Sequence, residues 1–224
     1  MVALRIYITP DFILSSRRRS LLSEKDVFQQ LVLGGGAISS ADWLVEICDA
    51  LTDRAGEFVE ELHDQILELE EIVLMRELPA NGRLARIRKQ LIMIRRYLSP
   101  QRDLVARLAN EKLSWLDEDD RRRLLDIADR LRRWLDDLDA GVARSAVLAD
   151  EINNLTAEAT NRRAYQMSVM ALMFLPASFL TGLFGINLGG IPGAESPTAF
   201  WVFCGSLLAL ATGLAVWLKY RRWW

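Results

Sequence analysis

Residues 167–186 read MSVMALMFLPASFLTGLFGI and residues 199–218 read AFWVFCGSLLALATGLAVWL. Neither run holds a charge, and each is about 20 residues long, enough at ~1.5 Å per residue to cross a ~30 Å hydrocarbon core. Between Ala164 and Leu218 the only charged residue is Glu195. Gly185-Ile186-Asn187 closes the first run, so Asn187 falls where a membrane hairpin turns. A carboxamide at that point can meet an ion arriving from outside.

The whole-chain numbers conceal this division. With 224 residues, 26% charged and a formal net charge of −2, the chain would pass for a soluble protein. Nearly all of that charge precedes residue 164, which makes a polar domain followed by a C-terminal hairpin. Arg162 and Arg163 precede the first run, and Lys219, Arg221 and Arg222 follow the second. Basic flanks stay in the cytoplasm, so both termini are expected inside and the Asn187 loop outside. Trp217, Tyr220, Trp223 and Trp224 suit the aromatic belt of the inner interface. Val2 to Ile8 alternates like a strand, so no signal peptide is read there.

Cysteine and histidine usage excludes a structural zinc site within one chain. Cys48 and Cys204 lie far apart, His63 is the sole histidine, and such a site needs about four closely spaced ligands. Cys48 reads as a buried helix residue, and Cys204 as a contact to lipid or to the neighbouring span. His63, amid Glu60, Glu61 and Asp64, reads as a solvated helix-face residue, with a cytoplasmic cation site as the alternative. The acidic runs 57–61 and 68–71 carry the same pair of readings. Hard carboxylate ligands there could bind a metal that bridges subunits and holds a pore shut.

The polar part opens with a hairpin in which Val2, Leu4, Ile6 and Ile8 alternate with Ala3, Arg5 and Tyr7. Thr9-Pro10-Asp11 turns the chain, and Phe12 to Ser15 pairs back. Two strands alone are marginal, so the sheet is expected to have further strands that are absent or supplied elsewhere. Ser23 is expected to cap a helix reaching Leu33, stopped by Gly34-Gly35-Gly36. Ser40 begins a long helix to about Met75, with Leu44, Ile47, Leu51, Phe58, Leu62, Ile66 and Leu69 on one face. Asn81-Gly82 turns into a helix from Arg83 to Leu98, and Ser99-Pro100 starts another to Trp115.

From Glu118 to Ile186 the first proline is Pro176. Leu124, Ile127, Leu131, Trp134, Leu138, Val142, Leu148, Ile152 and Leu155 keep coiled-coil spacing. Unbroken, this helix runs roughly 100 Å, and packing has to offset the ~1 kcal/mol that Gly141 costs relative to alanine. A second stripe lies further along it: Asn161, Ala164, Ser168, Ala171, Leu175, Ser178, Gly182 and Gly185. All but Leu175 are small or mildly polar. One reading is a close helix–helix contact. The other is a pore wall, which requires several copies of the helix because one encloses nothing.

Phe174-Leu175-Pro176 followed by Phe179-Leu180-Thr181-Gly182-Leu183-Phe184-Gly185-Ile186-Asn187 resembles the signature of the CorA-type metal ion transporters, in which Gly-Met-Asn ends the first of two C-terminal spans. Leu188-Gly189-Gly190-Ile191-Pro192-Gly193 is similar to the ZntB zinc-transporter branch, and Asn161-Arg162-Arg163 and the basic tail match in order and spacing. The resemblance covers essentially the whole chain. The family's N-terminal domain is longer, so the resemblance implies that its first strands and helices are missing before Met1.

The resemblance implies a mainly α membrane protein, with a partial α/β cytoplasmic domain and a long coiled-coil-like stalk helix running into the first of two C-terminal transmembrane helices. Its parts would be a cytoplasmic domain over 1–117, a stalk over 118–163, and a first transmembrane helix over 164–187. A periplasmic loop over 188–198, a second transmembrane helix over 199–218 and a basic cytoplasmic tail over 219–224 would follow. It further implies a homopentamer in the inner membrane, first spans lining the pore and second spans outside. Asn187 would then present five amide oxygens at the outer mouth, with the carbonyls of Gly185 and Ile186 just below. Asn161, Ala164, Met167, Ser168, Ala171, Leu175 and Ser178 would line the path inward. Ile186 stands where the family has methionine, which weakens a magnesium assignment but leaves the pore intact.

Neutral oxygens can hold a hydrated ion through its water shell, because stripping Mg²⁺ or Zn²⁺ is costly. No Cys or His falls on the stripe, and dehydrated Zn²⁺ prefers such ligands, so outer-sphere passage is expected and no inner-sphere metal site is assigned. Glu195, repeated around a ring, could concentrate cations at the mouth or stay a solvated loop acid. Leu175 could gate by excluding water or simply pack. Neither span offers a proton relay. The expected function is divalent cation transport, zinc foremost, with Mg²⁺, Co²⁺ or Ni²⁺ as alternatives. No permanent cofactor, enzymatic activity or nucleic-acid partner is expected. A membrane-tethered coiled-coil scaffold is the reading from another class.

Overall fold

A computed structural model of the chain describes residues 4–18, 22–185 and 196–220. It contains two strands and five helices among those residues: β1 (Leu4–Ile8), β2 (Ile13–Arg17), α1 (Leu22–Val32), α2 (Ser40–Leu74), α3 (Arg83–Asn110), α4 (Glu118–Phe184) and α5 (Ala199–Tyr220). The backbone contacts divide into two compact units, Met1–Leu155 and Thr156–Trp224, and the division falls within α4.

The hairpin forms where alternation placed it. β1 and β2 pair antiparallel, with Ile8 opposite Ile13. Thr9 N–H donates to the Phe12 carbonyl at 3.0 Å and Phe12 N–H to Thr9 Oγ1 at 3.1 Å, leaving Pro10-Asp11 as the loop. Leu4, Ile6 and Ile13 pack on Val27, Trp43 and Ile47, so the inner face of the hairpin closes a small core against α1 and α2. The expected start of the strand at Val2 lies outside the described residues.

Ser23 does not cap α1. It lies within the helix, buried, and its hydroxyl donates to the Ala50 carbonyl at 3.2 Å, tying α1 to α2. The C-terminus of α1 behaves as expected. Gly34 adopts φ +75°. Its N–H donates to Leu31 and that of Gly35 to Gln30, both at 3.1 Å, the Schellman arrangement that satisfies terminal carbonyls. α2 begins at Ser40 behind the cap of Ser39, whose hydroxyl accepts from Asp42 N–H at 3.0 Å. On its inner face Phe58 is exposed and Val59 is buried in its place, because a seven-residue step drifts against a 3.6-residue period.

α3 is continuous through Pro100, which corrects the expected break at Ser99. Leu98 and Val105 on either side of the proline are both buried in one core, so the packed face carries across. The proline is exposed, where the carbonyl that loses its partner can meet water.

The larger core is made by α2, α3 and α4, through Leu62, Ile66 and Leu69, Ile87 and Leu91, and Leu124, Leu131 and Leu138. The coiled-coil-like seam of α4 is therefore satisfied inside the chain as far as Leu155. Gly141 is more than a tolerated flaw: a Cβ there would lie 3.2 Å from Leu91 and 3.3 Å from Ile66, so its smallness lets α4 approach closely. Gly56 plays the same part more sharply, with Trp134 Cζ2 at 2.7 Å from its would-be Cβ. Ion pairs fasten the outside of this bundle. Arg123 reaches Asp42 at 2.9 Å, Arg130 spans Asp49 and Asp53, Arg144 Nε meets Glu70 at 2.8 Å, and Arg95 meets Asp139 at 3.2 Å.

Candidate functional site

The second unit holds the last part of α4 and α5. α4 contains a stretch long and apolar enough to cross a membrane, and residues 199–214 of α5 form a shorter apolar helix. Large side chains stand uncovered along both, among them Leu175 at 73% exposure and Trp201 at 73%. So wide an apolar surface requires a cover. The hydroxyls are largely satisfied within their own helices. Ser168 donates to the Ala164 carbonyl at 3.0 Å, Thr181 to Ala177 at 2.8 Å and Thr212 to Leu208 at 2.8 Å. That is what a helix must do where water is absent.

The two faces of this part of α4 differ. Val169, Pro176, Ala177 and Leu180 are half-covered. On α5 the half-covered positions are Phe203, Cys204, Leu207, Leu210 and Leu214, again one helical face. Phe184 and Phe203 meet edge-on with ring centroids 5.3 Å apart, closing the seam between them. Asn161, Ala164, Met167, Ser168, Ala171, Leu175, Ser178, Gly182 and Gly185 are all exposed, on the side turned away from that seam. The small-residue stripe is therefore not the contact between the chain's own two terminal helices. Among the described residues the Ser178 hydroxyl has no partner, so it presents an uncommitted oxygen on the stripe.

Gly185 sits at the end of α4, its N–H shared between the carbonyls of Thr181 at 2.9 Å and Gly182 at 3.2 Å. A Cβ at this position would lie 2.8 Å from the Thr181 carbonyl oxygen, so the helix can finish this way only without a side chain. Ile186, Asn187 and Glu195, read from sequence as the remaining filter residues and the mouth acid, lie outside the described residues. So do Arg221, Arg222, Trp223 and Trp224.

In the first unit His63 is exposed and borders a cleft of about 330 Å³ with Glu60, Asp64 and Asp137. Ile66, Leu91 and Gly141 also line it, and Trp134 adds an aromatic side. Among the described residues no group of three or more His, Cys, Asp or Glu side chains is arranged to hold a metal ion. The acids of the runs 57–61 and 68–71 are exposed or paired, as with Glu68, whose carboxyl is held below the usual range by its hydrogen bond from Arg83. Cys48 is half-buried between the two cores, and burial, aided by the Asp49 charge, pushes its thiol up to about 11. Asp120 at the start of α4 is raised by burial and then by the charges of Asp117 and Asp42, opposed by its backbone hydrogen bond with Asp117 and by the Arg123 charge. Sequence reasoning overlooked the Gly56–Trp134 contact, although a glycine on the buried face of a long helix was a signal for a close neighbour.

The sequence model of the family described as CorA-like Mg²⁺ transporter protein matches residues 1–221. Zinc transport protein ZntB of Pectobacterium atrosepticum is 52% identical over 223 residues, an alignment that takes in 100% of this chain and 68% of that protein. The structure of the full-length CmaX protein superposes with a TM-score of 0.78 at 36% identity, covering 99% of this chain and 68% of that one. The CorA magnesium transporter from Methanocaldococcus jannaschii gives a TM-score of 0.78 at 18% identity over 96% of this chain and 69% of its own, which is a likeness of fold.

Proposed function

We propose that this chain, which belongs to the family of CorA-like Mg²⁺ transporter proteins, carries a divalent cation, zinc foremost, across the inner membrane as a homo-oligomer. The observation that supports this most is the uncovered stripe from Asn161 to Gly185. Apart from Met167 and Leu175 it is small or mildly polar, and it is turned away from α5, so further copies of α4 can close around it. A pentamer gives a ring of five such helices, with α5 on the lipid side. Both apolar helices then cross the bilayer, and Arg162 and Arg163 with Lys219, Arg221 and Arg222 keep both termini cytoplasmic.

The cation passes with its water shell, held by neutral oxygens. Asn187 forms the outer ring, the Gly185 and Ile186 carbonyls follow, and the Ser178 and Ser168 hydroxyls and Asn161 lie deeper. Leu175 is the apolar constriction, and Glu195 raises the local cation concentration at the mouth. Zinc is favoured over magnesium by the likeness to a zinc transport protein at 52% identity and by Ile186 in place of the family's methionine. Magnesium, with cobalt and nickel, is the second reading, favoured by the family description. Uptake into liposomes holding a fluorescent indicator, with Zn²⁺ and Mg²⁺ in competition, tests the assignment. Zinc is expected to enter and to be blocked only weakly by equimolar Mg²⁺; dominance of Mg²⁺ would assign the chain to magnesium.

A further inference from the structure

In the first unit the charges are sorted by helix. Residues 57–71 of α2 hold seven carboxylates and no Lys or Arg, whereas α3 holds eight Lys or Arg and a single acid, Asp103. The chain's formal net charge is only −2, so this is segregation and not excess. Like charges three and four residues apart on one helix repel, and a mixed sequence would have avoided that cost. Intrachain pairing relieves little of it. Glu68 takes Arg83 and Glu70 takes Arg144, while Arg95 and Arg102 are matched by Asp139 and Asp103. Among the described residues Glu57, Glu60, Asp64 and Glu71 have no ion pair, nor do Arg86, Lys89, Arg96 and Arg107. All eight are exposed.

Each set makes one stripe, because the spacings are three, four and seven on α2 and three, seven and eleven on α3, all close to whole helical turns. The acidic stripe runs about 21 Å along α2 and the basic one about 32 Å along α3. Exposed apolar residues lie among the basic charges: Ile92, Met93 and Leu104, with Phe58 and Leu67 beside the acids. A few apolar contacts inside a charged surround are what a protein interface offers.

We infer that the acidic stripe of α2 docks on the basic stripe of α3 in a second copy of this chain. The contact joins two different surfaces, so each copy gives its α2 stripe to one neighbour and its α3 stripe to the other, the geometry that closes a ring. This rests on the homo-oligomer reading above and names the surfaces that meet in its polar part. Complementary stripes fix the register and accelerate encounter, and their attraction is screened within about 8 Å at physiological salt.

A charge swap tests it on the full chain in detergent, with oligomer mass followed by sedimentation. Glu60→Lys with Asp64→Lys, or Lys89→Glu with Arg96→Glu, should each raise the concentration of half-dissociation at least tenfold at low salt. All four together should restore it to within threefold of the parent. Single-stripe variants that assemble like the parent would overturn the inference, as would a fourfold variant weaker than either. An intrachain cause is distinguished by thermal unfolding at a dilution where the parent and every variant are dissociated: a melting temperature lowered there by the single-stripe variants also overturns it. Zinc flux is read separately in the same samples. Intact, stripe-dependent assembly without flux of Zn²⁺ or Mg²⁺ would defeat the transport reading and leave this one standing.

Discussion

Gly185 ends α4 with its Cα so close to the Thr181 carbonyl that a β-carbon would lie 2.8 Å from that oxygen. The last turn of the helix therefore depends on the absence of a side chain, immediately before Ile186 and Asn187, the other two residues proposed for the filter. Gly185→Ala should lower cation flux at least tenfold with assembly retained, because the clash falls on backbone and cannot be relieved by a rotamer change. Gly213 on α5 has nothing within 4 Å of its would-be Cβ. Flux through Gly213→Ala should stay within twofold of the parent, and equal losses in both variants would show that the Thr181 contact is not the cause.

Gly56 beneath Trp134 makes a second prediction. A methyl group would press on the indole at 2.7 Å, and overpacking of this kind costs typically ~1–3 kcal/mol. Denaturant unfolding of Gly56→Ala should show that loss, with a changed Trp134 fluorescence. Double substitution with Trp134→Phe should recover part of it, since the smaller ring gives the methyl group room.

Cys48 should be slow to alkylate. With its thiol pushed up to about 11 by burial, the thiolate is scarce at pH 8 and the rate should climb tenfold per pH unit toward pH 11. The sign for stability follows from linkage. The folded state holds this proton more tightly than the unfolded state, so its contribution is complete below about pH 9 and is lost as pH rises through about 11. Iodoacetamide labelling of Cys204→Ser as a function of pH measures it, and a plateau already reached near pH 9 would contradict the burial argument.

Asp120 carries the same sign in the acid range. Its carboxyl is raised above 3.8 by burial and by Asp117 and Asp42, so it favours the folded state below that value and loses that contribution as pH climbs past the raised value. Asp120→Asn should therefore be at least as stable as the parent at pH 7, with a flatter dependence of melting temperature on pH as pH rises from 3.8. A variant less stable at pH 7 and unchanged in slope would mean that the pairing with Arg123 outweighs the desolvation.

Much of this arrangement is legible in the residues, for physical reasons that differ by element. Absence of charge marks the two apolar helices without regard to context, and the start of α2 at Ser40 follows from local capping chemistry. The small-residue stripe is readable because 3–4 spacing survives any tertiary setting. Its partner is not, since spacing alone cannot say which helix a face meets; the half-covered seam through Val169, Leu180 and Phe203 resolves that within the chain. The continuity of α3 through Pro100 was equally hidden. A proline is a local signal to stop, and it was overruled by Leu98 and Val105 entering one core. Ser23 looked like a cap and serves α2 instead, a bond over 27 residues of sequence that no local rule contains.

Zn²⁺ uptake into liposomes containing the full chain, compared between the parent and Asn187→Ala, tests the central claim most directly. Zinc is expected to enter through the parent and to be stopped by the substitution, with sedimentation showing the same oligomer in both. Zinc entry that is unaltered in Asn187→Ala would remove the carboxamide ring from the path, and no entry of Zn²⁺, Co²⁺ or Mg²⁺ through the parent would contradict transport itself.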